Sequence, residues 1–117
     1  MPMYAFMGGY SAEAWKGMID NQESRRVAVE KAAEAGGGKL IAFYWCFGDD
    51  DFLCIAEAPD DMAAAAISVG VAASGRLRNN RTIRLIPVED EVALLGKAKK
   101  VSAAFVPPGT RQAAGTS

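Results

Sequence analysis

Residues 39–47, KLIAFYWCF, constrain the fold more than any other part of the chain. Nine residues rich in aromatic and aliphatic side chains, with three aromatics in succession, read as a β-strand. Strand side chains alternate between faces. One parity carries Leu40, Ala42, Tyr44 and Cys46, and the other carries Ile41, Phe43, Trp45 and Phe47. Both sets are apolar, so this strand needs cover on two sides. Gly48-Asp49-Asp50-Asp51 then turns the chain, and residues 52–58, FLCIAEA, return as a second strand to close a hairpin.

The flanking segments supply helices. Residues 3–10, MYAFMGGY, read as a strand. Ser11 opens a stretch with Trp15, Met18 and Ile19 at helical spacing, interrupted at Asp20-Asn21. Asp20 with Glu23 three residues on has the form of a capping box, which predicts a second helix from there to the Gly36-Gly37-Gly38 stop. Pro59-Asp60-Asp61 predicts a helix start and residues 62–73 an alanine-rich helix closed at Gly75. Residues 81–88, RTIRLIPV, predict the last strand, and residues 89–98 a short helix. The order β-α-β-β-α-β predicts an α+β, ferredoxin-like antiparallel sheet with two helices on one face. Residues 1–98 form the expected domain. Residues 99–117, rich in Gly, Ala, Pro and Thr, are the expected flexible or inter-subunit arm.

Two helices cover one face of a sheet. The other face is expected to expose Ile41, Phe43, Trp45, Phe47, Leu53 and Ile55, more apolar surface than a soluble monomer carries. At ~25 cal/mol per Å², covering a few hundred Å² contributes on the order of 10 kcal/mol before association costs. A two-fold homodimer, or a larger homo-oligomer, is therefore the expected state. The simpler alternative folds the C-terminal segment back over that face.

Composition removes several functions. The 117-residue chain has a net charge of −1, which gives no global field for nucleic acid or an anionic membrane. No apolar run reaches the ~18 residues of a membrane span. The N-terminus lacks a basic signal-peptide region, so a cytoplasmic location is the expectation. With no histidine, Ser-His-Asp and Cys-His catalysis and histidine metal triads are excluded. Cys46 and Cys54 are expected to be free thiols, the alternative being a redox pair across the hairpin. No cofactor and no metal are expected.

Three constellations remain. Asp49-Asp50-Asp51 suits a Mg²⁺ or Ca²⁺ ion, or a base with a raised pKa. The blander reading is a solvated turn whose Asp51 caps backbone amides. Tyr4, Phe6, Trp15 and Tyr44 suit a flat apolar ligand between helix and sheet, where core packing is the alternative. Arg76, Arg78, Arg81 and Arg84, with Arg25 and Arg26 elsewhere, suit a carboxylate or phosphate clamp. Solvated charge, or pairing with Glu89, Asp90 and Glu91 of another subunit, is the alternative.

Gly37-Gly38-Lys39, Phe43-Tyr44, Gly48-x-x-Asp51-Phe52 and Glu57-Ala58-Pro59-Asp60-Asp61 followed by residues 63–66 carry a resemblance. Over about residues 3–95 the chain resembles the GYD-domain family of small bacterial proteins. The resemblance implies a dimeric α+β barrel and no settled activity. One position departs from the pattern, because the tyrosine before the family's aspartate is replaced here by Asp50. The expected function is a non-catalytic, homo-oligomeric small-molecule-binding, accessory or regulatory module. The alternative is a cofactor-independent enzyme of the dimeric α+β barrel type acting on a small aromatic or carbonyl compound. There Asp51 or Tyr44 would move a proton and Arg84 would hold an anion.

Overall fold

Strand pairing in a computed structural model, which describes residues 1–110, gives one antiparallel sheet in the order β2-β3-β1-β4. The strands are β1 (Met3–Tyr10), β2 (Lys39–Trp45), β3 (Phe52–Glu57) and β4 (Leu77–Leu85). Between them lie helices α1 (Ala12–Asp20), α2 (Arg25–Ala35) and α3 (Asp61–Ala72). An open four-stranded antiparallel sheet with helices packed against one side fits the ferredoxin-like class.

The helix starts follow from local chemistry. The Ser11 hydroxyl accepts the Ala14 N–H of α1 at 3.1 Å, and the Asp60 carboxylate accepts the Ala63 N–H of α3 at 2.8 Å. Each satisfies an amide that has no partner within its own helix. The expected capping box from Asp20 to Glu23 does not form. Asp20 is still helical, as the last residue of α1, and Ser24 caps α2 by accepting the Arg26 N–H at 3.2 Å. The first crossover is thus two helices, and three helices rather than two cover the sheet.

The registers decide which side chains those helices bury. Tyr4 pairs with Ala56 and Phe6 with Cys54, and paired residues share a face. That face also holds Leu40, opposite Ala56. Tyr4, Phe6, Tyr10, Leu40, Phe52, Cys54 and Ala56 form the buried cluster, with Ala33 and Ala64 from the helices and Trp15, Val29 and Ile67 packed on it.

A bulge then reverses the parity of β2. Leu40 pairs with Ala56 but Ala42, not Ile41, pairs with Ile55, so Ile41 is the extra residue. Beyond it Phe43 pairs with Cys54 and Trp45 with Phe52, while Tyr44 pairs with Leu53. Phe43 and Trp45 therefore turn to the helix side and Tyr44 to the open side, the reverse of a strict alternation. A second bulge, between Met7 and Gly9, accompanies Asn79 at φ 51°. It lets β4 begin at Leu77, earlier than the expected residue 81.

Gly38 joins α2 to β2 at a close backbone approach. A Cβ there would overlap the Glu57 carbonyl oxygen, so only glycine lets β2 lie beside β3 at this point.

The chain divides into two units, the first ending at Ile86 and the second beginning at Pro87. In the second a 3₁₀ turn, Val88–Asp90, leads into α4 (Glu91–Ala104). The helix continues past its expected end at 98 into the segment expected to be an arm. Residues 111–117 of that arm lie outside the described residues. Among the described residues no helix is long and apolar enough to cross a membrane.

Candidate functional site

Asp51 ends the β2–β3 turn, where its amide donates to the Gly8 carbonyl at 2.7 Å and its carbonyl accepts the Cys46 N–H at 2.8 Å. Both bonds hold the carboxylate under the start of α1. Oδ2 accepts the Tyr10 backbone N–H at 2.9 Å, Trp15 Nε1–H at 3.3 Å and Arg78 Nη2–H at 3.2 Å. Arg78 reaches it across Gly9, where any side chain would collide with the guanidinium. Asp51 is 9% exposed. The Tyr10 amide holds its pKa below the usual carboxylate range, with Arg78 and Trp15 adding to the effect against the cost of burial. A carboxylate committed to three donors is a poor proton acceptor, which weakens Asp51 as a catalytic base. It is instead the joint between β1, α1, β4 and the hairpin.

The other two carboxylates of the turn do not converge with it. Asp50 pairs with Arg81 at 2.5 Å, and Asp49 uses its backbone carbonyl to accept from Arg78. Among the described residues no group of three Asp, Glu or Cys side chains is placed to hold a metal ion. Each arginine of the basic run faces an acid of its own unit. Arg76 pairs with Glu13, Arg78 with Asp51, Arg81 with Asp50 and Arg84 with Asp61. Within the chain the arginines thus do not line up as an unpaired clamp.

The expected aromatic pocket divides in three. Tyr4 and Phe6 lie together, ring centroids 6.5 Å apart, with Arg84 stacked 5.5 Å from the Tyr4 ring. The Tyr4 hydroxyl donates to Asp61 at 2.6 Å, and burial, aided by Asp61, raises its pKa, so it stays protonated. Trp15 sits at the other end of β1, against Tyr10 at 5.5 Å and Trp45 at 5.7 Å. Tyr44 is on the opposite face of the sheet and 61% exposed. The Ile41 bulge is the reason, because it exchanged Tyr44 for Trp45 on the helix side.

That exchange builds a different aromatic group. Tyr10, Trp15, Phe43, Trp45 and Phe52 stand in a chain of contacts, with Tyr10–Phe52 at 5.2 Å and Phe43–Trp45 at 5.5 Å. Beside it two concavities share Glu23 and Arg25. One, of about 270 Å³, is floored by Tyr10 and edged by Met18, Asn21 and Arg76. The other, of about 240 Å³, is walled by Phe43 and Trp45 and edged by Arg26. Tyr10 was legible as a strand aromatic sharing parity with Tyr4 and Phe6. Arg25 was legible only as one of several arginines suited to an anion, with nothing in its spacing to join it to Phe43 and Trp45.

Cys54 lines a small apolar cavity of about 60 Å³ with Phe6, Leu40 and Ile67. Burial pushes its thiol up to about 11, so it is protonated and unreactive at neutral pH. Cys54 pairs with Phe43, so Cys46 does not stand opposite Cys54 as the alternative of a redox pair across the hairpin would need. Both are free, Cys46 half-buried and Cys54 buried. At pH 8 a thiol reagent is expected to titrate Cys46 first and Cys54 only on unfolding. Equal rates in the native protein would show that Cys54 is open to solvent.

The expected interface residues also separate. Leu53 and Ile55 lie on the open face, opposite Met7 and Ala5 of β1. Ile41 lies at the bulge, 45% exposed, and Phe47 stands beyond β2, wholly exposed. Phe43 and Trp45 are on the helix side. Ile83, opposite Ala5, joins the open face from β4.

Compared with known proteins, the chain matches the family model of the GYD domain over residues 4–95. This span holds all four strands and the first three helices. No curated protein matches the chain significantly.

Proposed function

The chain belongs to the GYD domain family, and from that premise we propose that it works as a non-catalytic, homo-oligomeric binding or accessory module. The observation that carries this reading is the open face of the sheet. Met3, Ala5 and Met7 of β1, Leu53 and Ile55 of β3, Ala42 and Tyr44 of β2, and Ile83 and Leu85 of β4 share it. The apolar centre of this face, with Ile83 and Tyr44 substantially exposed and Arg81, Glu57 and Lys39 at its margins, suits burial against the same surface of a second copy. Two sheets packed in that way make the dimeric α+β barrel. The state of the reactive groups supports a non-catalytic role. Asp51 is held ionised by three donors, Tyr4 and Cys54 are held protonated, and no histidine is present.

Sedimentation velocity tests the assembly. The wild type is expected to sediment as a dimer or larger at micromolar concentration. Ile55→Lys, at the centre of the face, is expected to sediment as a monomer with its circular dichroism retained. A wild-type monomer under those conditions rejects the reading. Native mass spectrometry of the protein as purified would show whether a small molecule travels with it.

A further inference from the structure

Arg25 is the one side chain among the described residues with a buried polar atom lacking a partner. Its Nε–H is sealed from solvent and meets no acceptor. Buried donors are nearly always paired, and an orphan on a charged group is costly. Arg25 also takes part in none of the four ion pairs, all of which use arginines of the segment 76–84. It stands where the two concavities meet, so a guanidinium without an anion faces both.

The surroundings define what anion would suit it. Glu13 is neutralised by Arg76. Of the remaining charges lining the two hollows, Arg25 and Arg26 are positive and Glu23 is negative. The balance is 2 − 1 = +1, which suits a monoanion better than a phosphate dianion. The wall beside Arg25 is Phe43 and Trp45, and Trp45 is half exposed. Aromatic rings offer a flat apolar partner a stacking surface. Tyr10, its hydroxyl kept protonated by burial against the opposing pull of the Arg25 guanidinium beside it, floors the adjoining hollow. A guanidinium recognises a carboxylate through paired N–H donors.

We propose that the groove between the α1–α2 junction and the end of β2 binds a small aromatic carboxylate, its carboxylate on Arg25 and its ring on Phe43 and Trp45. The proposal rests on the binding-module reading and not on the dimer, because the groove is on the helix side of the sheet. Trp15 and Trp45 are the two tryptophans of the chain and both belong to the aromatic group beside the groove, so their fluorescence reports occupancy.

The test titrates the full-length protein with benzoate, and separately with acetate and benzyl alcohol, following tryptophan fluorescence and heat. Benzoate is expected to saturate at millimolar or lower concentration. Acetate, lacking the ring, and benzyl alcohol, lacking the charge, are each expected to bind at least ~tenfold more weakly. Arg25→Gln is expected to weaken benzoate at least ~tenfold. Phe43→Leu gives an independent check, because it is expected to weaken benzoate and leave acetate unchanged. Lack of saturable benzoate binding, equal affinity in Arg25→Gln, or acetate binding as tightly as benzoate overturns the proposal. If benzoate fails while native mass spectrometry finds an uncharged molecule bound, the proposal falls and the binding-module reading stands.

Discussion

Gly38→Ala is expected to lower stability by ~3 kcal/mol or more, a fall in Tm of roughly 10–20 °C. The cause is backbone against backbone. A methyl group at position 38 would overlap the carbonyl oxygen of Glu57. Lys39, the next residue, pairs with Glu57 at the start of the β2–β3 ladder. The atoms in the way are backbone, which no side-chain rotation can move, so relief requires β2 to leave β3. Gly17→Ala is the matched control. Nothing lies within 4 Å of a Cβ at position 17, inside α1, and there alanine is expected to stabilise by about 0.5–1 kcal/mol. Thermal unfolding of the two variants beside the wild type checks both signs. A Gly38→Ala protein that melts with the wild type would show that the β2–β3 ladder starts later than the register here.

Asp51→Ala is expected to cost roughly 10 °C in Tm, because one carboxylate serves three elements. Its removal leaves the Tyr10 amide, the Trp15 indole N–H and the Arg78 guanidinium without their acceptor. Charged hydrogen bonds to a buried acceptor are among the stronger ones. The pH dependence follows from the direction of the shift. The folded pKa of Asp51 lies below its unfolded value of about 3.9. Between those two values the unfolded chain binds more protons, so stability rises with pH through that window. The contribution is complete above about pH 4 and is lost as pH falls through the lowered folded value. Asp51→Asn is expected to flatten that acid limb, measured by urea unfolding at stepped pH. An unchanged acid limb would assign the acid sensitivity to other carboxylates.

Much of the fold was legible because local rules and tertiary needs agree. β1 spans the residues its aromatic pattern marks, Asp60 caps α3, and the glycines end α2 before β2. The reading of Asp51 as a cap for backbone amides anticipated its bond to Tyr10 N–H. The turn is less solvated at that residue than expected, since Asp51 is buried. The failures share a physical cause. A bulge leaves no trace in a period of two, so Ile41 hid the inversion that placed Tyr44 outside and Trp45 inside. Arg78, Asn79 and Asn80 read as loop because they are polar, yet they belong to β4, with Asn79 taking a positive φ at the irregular step. Ser24 outcompeted Asp20 as a cap because α1 had already claimed Asp20. The groove at Arg25 joins residues far apart in sequence, and no spacing rule reaches that distance.

Skipping one rung at Ile41 also sets how strongly two copies would meet in the proposed assembly. Large aromatic side chains bury roughly 150–250 Å² each, and the shift withdraws two of them, Phe43 and Trp45, from the outward surface. What remains there is alanine, branched aliphatics, methionine and a lone tyrosine, bordered by Arg81, Glu57 and Lys39. In the proposed assembly a handshake made of such modest fingers would loosen on dilution, and abundance itself would become a dial on how many molecules stand alone. Excising Ile41 would remove the bulge and still leave Ala42 opposite Ile55 and Phe43 opposite Cys54, so both rings would stay beside the hollow that holds Arg25.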